Sequence, residues 1–543
     1  MFAIFQVKAQ QPTLKIESHK KINQKIIDSI GYEKNFKSLN ELHQEIKNFN
    51  KKLNKIGFLD FKTDIKQINS LHIYTVDLKN QIKTLKIHIP RNTLELLSDT
   101  YKKTIEIPFE ETENLLTQIN EEISNNGKPF TSLKLKNLKR KKDSIEATLT
   151  INSSKERQLD KITVKGYEEF PKSYLKNFLR LKTGKKFNKK NIDKKLENLD
   201  ELKFAKSIRE PEVLFTKDST TLYLYLEKQN SNTFDGFLGF SNEENSNNLK
   251  LNGYINVNLN NNLNFGESLN IEYKNNGEEY SYFYTNAKIP FIFNSPISPE
   301  ASLSITNQDS TFTTNQQNIG LNFQISANLN LKASYSSENS NFLQDKNTNL
   351  ITNNQDYTAN FGNINFTYQE RSKYNIFRYN SNATLNLSLG ERSTASNKNK
   401  QQKISIDIEK IISINHRNHI YLANHSGFIN SDNYLDNELF RTGGIKTLRG
   451  FQENSLIGEL YSFFNTEYRY LLDENLYANS IFDFGNIRNQ NQNVNYNVYS
   501  IGFGLGLETK SGLLKLIFAN GKTEEQSFKF QNTKVHLSLT VDF

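Results

Sequence analysis

The sequence predicts α+β repeats followed by a 16-stranded antiparallel transmembrane β-barrel, and three observations carry that prediction. The chain is polar on average, with mean hydropathy −0.67 and 36% hydrophobic residues, yet 38 Phe and 25 Tyr raise the aromatics to 12%. Disordered chains are poor in aromatics, whereas a large barrel with a wet interior needs apolar residues only at alternate positions. The alphabet also changes near residue 230: Lys with helical spacing before it, Asn, Ser, Thr and Tyr with period two after it. Finally, no run of roughly 18 apolar residues occurs, which excludes membrane-spanning helices.

Residues 1–11 pair Phe2, Ala3, Ile4 and Phe5 with Val7-Lys8-Ala9 before Gln10. They read as a signal-peptide remnant without its charged n-region, or as a disordered N-terminus. Zero cysteines exclude a disulfide framework, a thiolate metal site and a cysteine nucleophile.

The first repeat, 12–78, is led by a helix in which Leu39, Leu42, Ile46, Phe49, Leu53 and Ile56 recur at 3,4 spacing. Ser38 with Glu41 forms its capping box, and Gly57 stops it. Strands over 58–66 and 70–78 follow. The second repeat, 79–155, reads as strand 82–89, helix 110–124 and strands 132–138 and 144–151. In the third, 156–230, strand 161–165 precedes helices 171–179 and 188–199, with strands 213–215 and 221–226 closing it. Three units of about 75 residues form a repeat array.

The third unit contains Ile162-Thr-Val-Lys-Gly166, then Lys182-Thr-Gly-Lys-Lys-Phe187, then Phe204-Ala205. It resembles a POTRA domain, the periplasmic module of outer-membrane assembly and secretion barrels. The family usually has Gly-Asn after the first strand, and here Tyr167 follows Gly166. The first two units are POTRA-like by repetition.

Residues 231–543 carry sixteen candidate strands, about twenty residues per strand and connection, which suits tilted spans. Leu251, Gly253, Ile255, Val257 and Leu259 alternate with polar residues, as do Leu385, Leu387 and Leu389, and Ile404, Ile406 and Ile408. With no Trp, the interfacial girdles are expected from Tyr282, Tyr284, Phe291, Phe293, Tyr468 and Tyr470. The last segment puts Val535, Leu537, Leu539, Val541 and Phe543 on one face. It resembles the C-terminal signal by which bacterial outer-membrane barrels are recognised for insertion.

Between the eleventh and twelfth strands lies a connection of about thirty residues, a length that marks function. It holds Gly443-Gly444 and Leu448-Arg449-Gly450-Phe451. These residues look like the loop-six signature of the BamA/TamA superfamily, and Glu467-Tyr-Arg469, Phe482-Asp483-Phe484-Gly485 and Gly502-Phe-Gly504-Leu-Gly506 follow in that family's order. Period two places Glu467, Arg469 and Asp483 in the lumen if Phe464, Tyr468, Tyr470, Phe482 and Phe484 face lipid. An Arg carried into the lumen needs carboxylate partners, and Asp483 or Glu467 would supply them to Arg449.

The resemblance implies assembly or export of client outer-membrane or secreted proteins in the bacterial outer membrane, N-terminal domains in the periplasm. It implies contact with outer-membrane lipids, allows a periplasmic or inner-membrane TamB-like partner, and suggests a weak seam between the first and last strands. Three units match the layout of TamA. The alternatives are a two-partner secretion transporter, which usually has two POTRA domains and a plug helix, and a passive porin, which would not need Arg449.

No G-x-S-x-G elbow or P-loop occurs, so neither an enzyme nor a cofactor is expected. His416, His419 and His425 read as surface histidines rather than a metal site. The net charge of +10 owes much to Lys139-Arg140-Lys141-Lys142, Lys185-Lys186, Lys189-Lys190 and Lys194-Lys195. These runs alternate with helix positions and lack stacking aromatics, so they read as solvated faces and not as a nucleic-acid site.

Overall fold

A computed structural model of the chain describes residues 11–242, 249–275, 280–308, 311–343, 353–374, 376–509, 512–524 and 527–540. Two compact units emerge: residues up to 162 with 183–194 and 213–222 form one, and the rest, including the barrel, the other.

In the N-terminal unit, helix Leu39–Lys55 is capped as its sequence demands. Ser38 Oγ accepts from the Glu41 N–H at 3.3 Å, and the Glu41 carboxylate accepts from the Lys37 N–H at 2.9 Å. Leu42, Ile46, Phe49 and Leu53 are buried, whereas Leu39 is exposed. Gly57 ends the helix at φ +92°, pressed against the Ile82 carbonyl, where a Cβ would collide. The sheet centres on Leu71–Asp77, with Thr13–Glu17 parallel on one side and Lys62–Ile68 antiparallel on the other. Thr13–Glu17 and helix Lys21–Ile30 were not announced by the sequence pattern. That helix buries Ile27 in the same core as Leu14 and Val76.

A second core gathers Leu85, Ile87, Ile119, Ile123 and Leu149. Here Thr84–His88 lies between Thr104–Pro108 and Ser144–Asn152, and Ser132–Lys141 forms the far edge. Lys139, Arg140 and Lys141 end that edge strand and Lys142 turns at φ +35°, so this basic run sits on a β-hairpin and not on helix positions. All four side chains are exposed.

Residues 158–228 contain helices Lys172–Asn177 and Lys189–Leu196 and strand Ala205–Ser207, which pairs antiparallel with Thr220–Lys228. Gly166 sits at φ +89°, where a Cβ would lie 2.5 Å from the Leu226 carbonyl oxygen. Tyr167, the departure from Gly-Asn, is buried. Its hydroxyl donates to Asn264 Oδ1 and accepts from Asn261 Nδ2, both at 2.8 Å, so it docks this segment onto a barrel turn. Tyr174 does the same with Gly266 O at 3.0 Å and the Phe291 ring at 4.9 Å. Burial, with Glu267 nearby, holds the Tyr174 phenol well above its ordinary pKa, so it stays a donor.

The barrel sheet contains, in chain order, Thr233–Asn242, Leu249–Asn260, Ser268–Asn275, Tyr280–Lys288, Ile297–Gln308, Phe312–Gln324, Leu329–Phe342, Tyr357–Arg371, Tyr379–Ser393, Lys398–Ser413, Asn418–Asn430, Leu460–Leu471, Leu476–Asn489, Val494–Thr509, Gly512–Lys522 and Lys534–Thr540. Each of these sixteen strands is antiparallel to its sequence neighbour. The period-two pattern decides the faces: Ile319, Leu389, Phe503 and Leu537 point outward and exposed. Inward positions form polar ladders such as Asn270 Nδ2 to Asn258 Oδ1 at 2.6 Å and Asn386 Nδ2 to Ser405 Oγ at 2.9 Å. An apolar outer face around a hydrogen-bonded polar interior is the arrangement lipid requires.

Register corrects the expected girdle. Odd positions of the fourth strand pair with the outward Leu303 and Ile305, so Tyr282 and Tyr284 share the inward face with Glu272 and stack at 6.3 Å. Phe291 is buried against Tyr174, and Phe293 is almost wholly exposed at a turn. Tyr468 does point outward.

Candidate functional site

The site begins in the connection from Asn430 to Leu460. A short hairpin, Phe440 opposite Gly458 and Thr442 opposite Leu456, carries the chain away from the barrel rim. Gly443 and Gly444 then turn it at φ +103° and +90°, a conformation closed to side chains. A Cβ at Gly443 would lie 2.6 Å from the Gln452 carbonyl oxygen. Thr447 Oγ1 closes the turn on the Gly443 N–H at 2.8 Å. Leu448 and Phe451 anchor the tip among Leu456, Phe463, Ile487 and Val498.

Between those anchors Arg449 meets two strands. Its Nε donates to Asp483 Oδ2 at 2.7 Å, Nη2 pairs with Asp483 Oδ1, and Nη1 pairs with Glu467 Oε1. Glu467 Oε2 accepts in turn from Arg469 Nε at 2.7 Å. Arg469 does not touch Arg449; it lies 4.1 Å from the Tyr421 ring, with Tyr477 and Phe377 beyond. Two cations and two carboxylates therefore cancel in a site where each is at most 6% exposed. Such a cluster adds little net stability over an apolar one, but losing one member leaves a buried charge unpaired and is strongly destabilising.

The glycines of the fourteenth strand make room for it. Gly502, Gly504 and Gly506 share the inward face with Ser500, where Gly506 is in contact with the Tyr477 ring and Gly504 lies beside Asn479. At the tip, a Cβ on Gly450 would fall 2.7 Å from the Gly521 backbone nitrogen. The Gly450 N–H donates to His536 Nε2 at 3.1 Å on the last strand. Val535 and Leu537 point outward there. The Leu539 side chain, Val541 and Phe543 lie outside the described residues.

The loop also reaches the opposite wall: Asn437 Nδ2 donates to Ser340 Oγ on the seventh strand at 2.9 Å. Strands seven and sixteen would be roughly 43 Å apart in a flat sheet at about 4.8 Å per strand, so the sheet curls around this loop.

Sequence reasoning missed part of the arrangement. Arg392 on the ninth strand pairs with Glu438 of the loop at 2.5 Å, both side chains at most 2% exposed. With Leu385, Leu387 and Leu389 outward, period two already put Arg392 inward, where a charge needs a partner. Alternation with Val535 and Leu537 puts His536 on the inward face, but no local signal names Gly450 as its partner. The histidine expectation is corrected: only His416 is exposed. His419 is buried against Tyr374 and Phe377 and bonds Ser413 Oγ, and His425 pairs with Asp407 at 2.8 Å, because their inward parity leaves no room at the surface. Among the described residues no group of three or more His, Cys, Asp or Glu could hold a metal.

Fold and loop together define a β-barrel with an inward-folded loop, preceded by smaller mixed-sheet modules. Residues 158–228 match the POTRA family, "Surface antigen variable number repeat". CdiB from Acinetobacter baumannii superposes with a TM-score of 0.51 at 14% identity, covering 93% of this chain and 96% of that one. For CdiB from Escherichia coli the values are 0.50, 13%, 83% and 88%. BamA from Haemophilus ducreyi lacking POTRA domains 1-3 gives 0.49 and 15%, covering 79% and 92%. No curated protein sequence matches. The chain therefore joins a POTRA domain at 158–228 to a sixteen-stranded antiparallel sheet that shares the fold of the two CdiB structures.

Proposed function

We propose that this protein assembles or translocates other envelope proteins, with the inward loop as a removable lock. The observation that carries the reading is the buried Arg449 held by Asp483 and Glu467. A thirty-residue loop pinned inside the barrel by buried ion pairs would obstruct a passive pore, whereas it suits a protein that must open on demand. The loop tip also bonds the last strand, and among the described residues no ladder joins Thr233–Asn242 to Lys534–Thr540. An unpaired strand edge can template a client strand through its free backbone groups, without ATP. The first two units are taken as POTRA-like, giving a TamA-like layout.

The test is quantitative outer-membrane proteomics after depletion, with a parallel count of secreted proteins. Loss of several unrelated barrels supports assembly. If barrels persist and one exoprotein disappears, the protein is a dedicated exporter. Arg449→Ala should reproduce the depletion phenotype while the barrel still inserts.

A further inference from the structure

The loop carries two buried ion pairs of opposite sense. At its tip a loop cation, Arg449, meets wall carboxylates in mid-strand. At its entrance a loop carboxylate, Glu438, meets a wall cation, Arg392, near the end of the ninth strand and opposite Asn399. Glu438 is fully engaged: Oε1 accepts from Arg392 and from the Leu435 N–H at 2.9 Å, and Oε2 accepts from Gln401 Nε2 at 2.9 Å. Arg392 Nη2 bonds Asn433, so it holds two points of the same segment. Around the pair, Leu435 packs on Tyr357, Ala359 and Phe361, and Asn437 bonds Ser340 and the Gln355 carbonyl. The two clusters share no residue: the Arg392–Glu438 cluster is held by strands seven to ten and the tip by strands twelve to sixteen, while Asn491 in the turn after strand thirteen donates to Tyr434 O and Asp436 beside the entrance.

We propose that Arg392 and Glu438 form a second anchor, independent of Arg449, so that the loop leaves the lumen only when both are released. This rests on the reading of the loop as a removable lock. Reversed polarity suits the task, because neither anchor can satisfy the charges of the other and the loop cannot slip into a shifted register. Neither residue is a client-binding group; both position the loop.

Because the chain has no cysteine, a single introduced thiol reports each half of the loop. Leu435→Cys at the entrance and Leu448→Cys at the tip are both buried positions. In the full-length protein in lipid, maleimide labelling is read without any client, so its result does not depend on whether the protein assembles or exports. Removing one partner of a buried pair should raise local opening about a hundredfold. Glu438→Gln and Arg392→Gln should therefore speed labelling at Leu435→Cys by about that factor and leave Leu448→Cys protected, with Arg449→Ala doing the reverse. The exchange Arg392→Glu with Glu438→Arg should restore protection at Leu435→Cys, which a merely misfolded variant would not. Wild-type labelling at Leu435→Cys in both single variants, failure of the exchange, or exposure of both reporters by Arg449→Ala alone would overturn the proposal.

Discussion

The backbone N–H of Gly450 donates to Nε2 of His536, so the tip of the inward loop is bonded to the last strand of the barrel. The bond joins the two features proposed to move, the lock and the seam. Glycine is required there because any side chain would strike the fifteenth strand.

His536→Leu removes the ring nitrogen that accepts from that N–H. Losing a partner for a buried donor costs about 1–3 kcal/mol. Hydrogen exchange of 534–540 should accelerate, and Arg449→Ala should accelerate the same amides. Unchanged exchange in both variants would detach the lock from the seam.

Asp483→Ala leaves Arg449 with one carboxylate in a buried site, and the cost should be about 3–5 kcal/mol. Asp483→Asn keeps the shape and should fall between it and wild type. Both should still yield an inserted barrel, with a lowered thermal midpoint and impaired client handling. Equal midpoints for all three proteins would show that the ion pair holds nothing.

Gly506→Val places branched carbons where the Tyr477 ring lies. Tyr477 is also one wall of the Arg469 box, so the substitution should destabilise by about 1–3 kcal/mol through overpacking. Gly362→Ala, on a wall where a Cβ meets nothing closer than 3.9 Å, is the control expected to be neutral. Thermal unfolding compares the two.

Tyr167→Asn converts the chain to the usual Gly-Asn pattern but removes the hydroxyl that bonds Asn261 and Asn264. It should loosen residues 163–182 from the barrel turn, at about 1 kcal/mol per hydrogen bond lost. Faster proteolysis after Lys172 and Lys176 is the expected result, and an unchanged cleavage rate would show that Tyr174 suffices.

The strands were legible because their signal is local. Period two over 7–16 residues needs no knowledge of the neighbours, and it placed Glu467, Arg469 and Asp483 on the inward face where the structure has them. Helix 39–55 was legible for the same reason, through its cap and its 3,4 spacing. The girdle was misjudged because Tyr282 and Tyr284 satisfy the alternation on either face, and only pairing with the fifth strand settles which. The buried histidines escaped for a like reason, since their residue type says surface and their register says lumen.

The sequence by itself determined the number of barrel strands and the alternation of faces along most of them, because these follow from periodicities along a continuous chain. The tertiary structure alone decided who meets whom inside. Arg449 lies 34 residues from Asp483, Arg392 46 from Glu438 and Gly450 86 from His536. Nothing local couples such positions; they meet because the sheet curls and the loop folds inward, and a buried charge is stable only where that geometry delivers its partner.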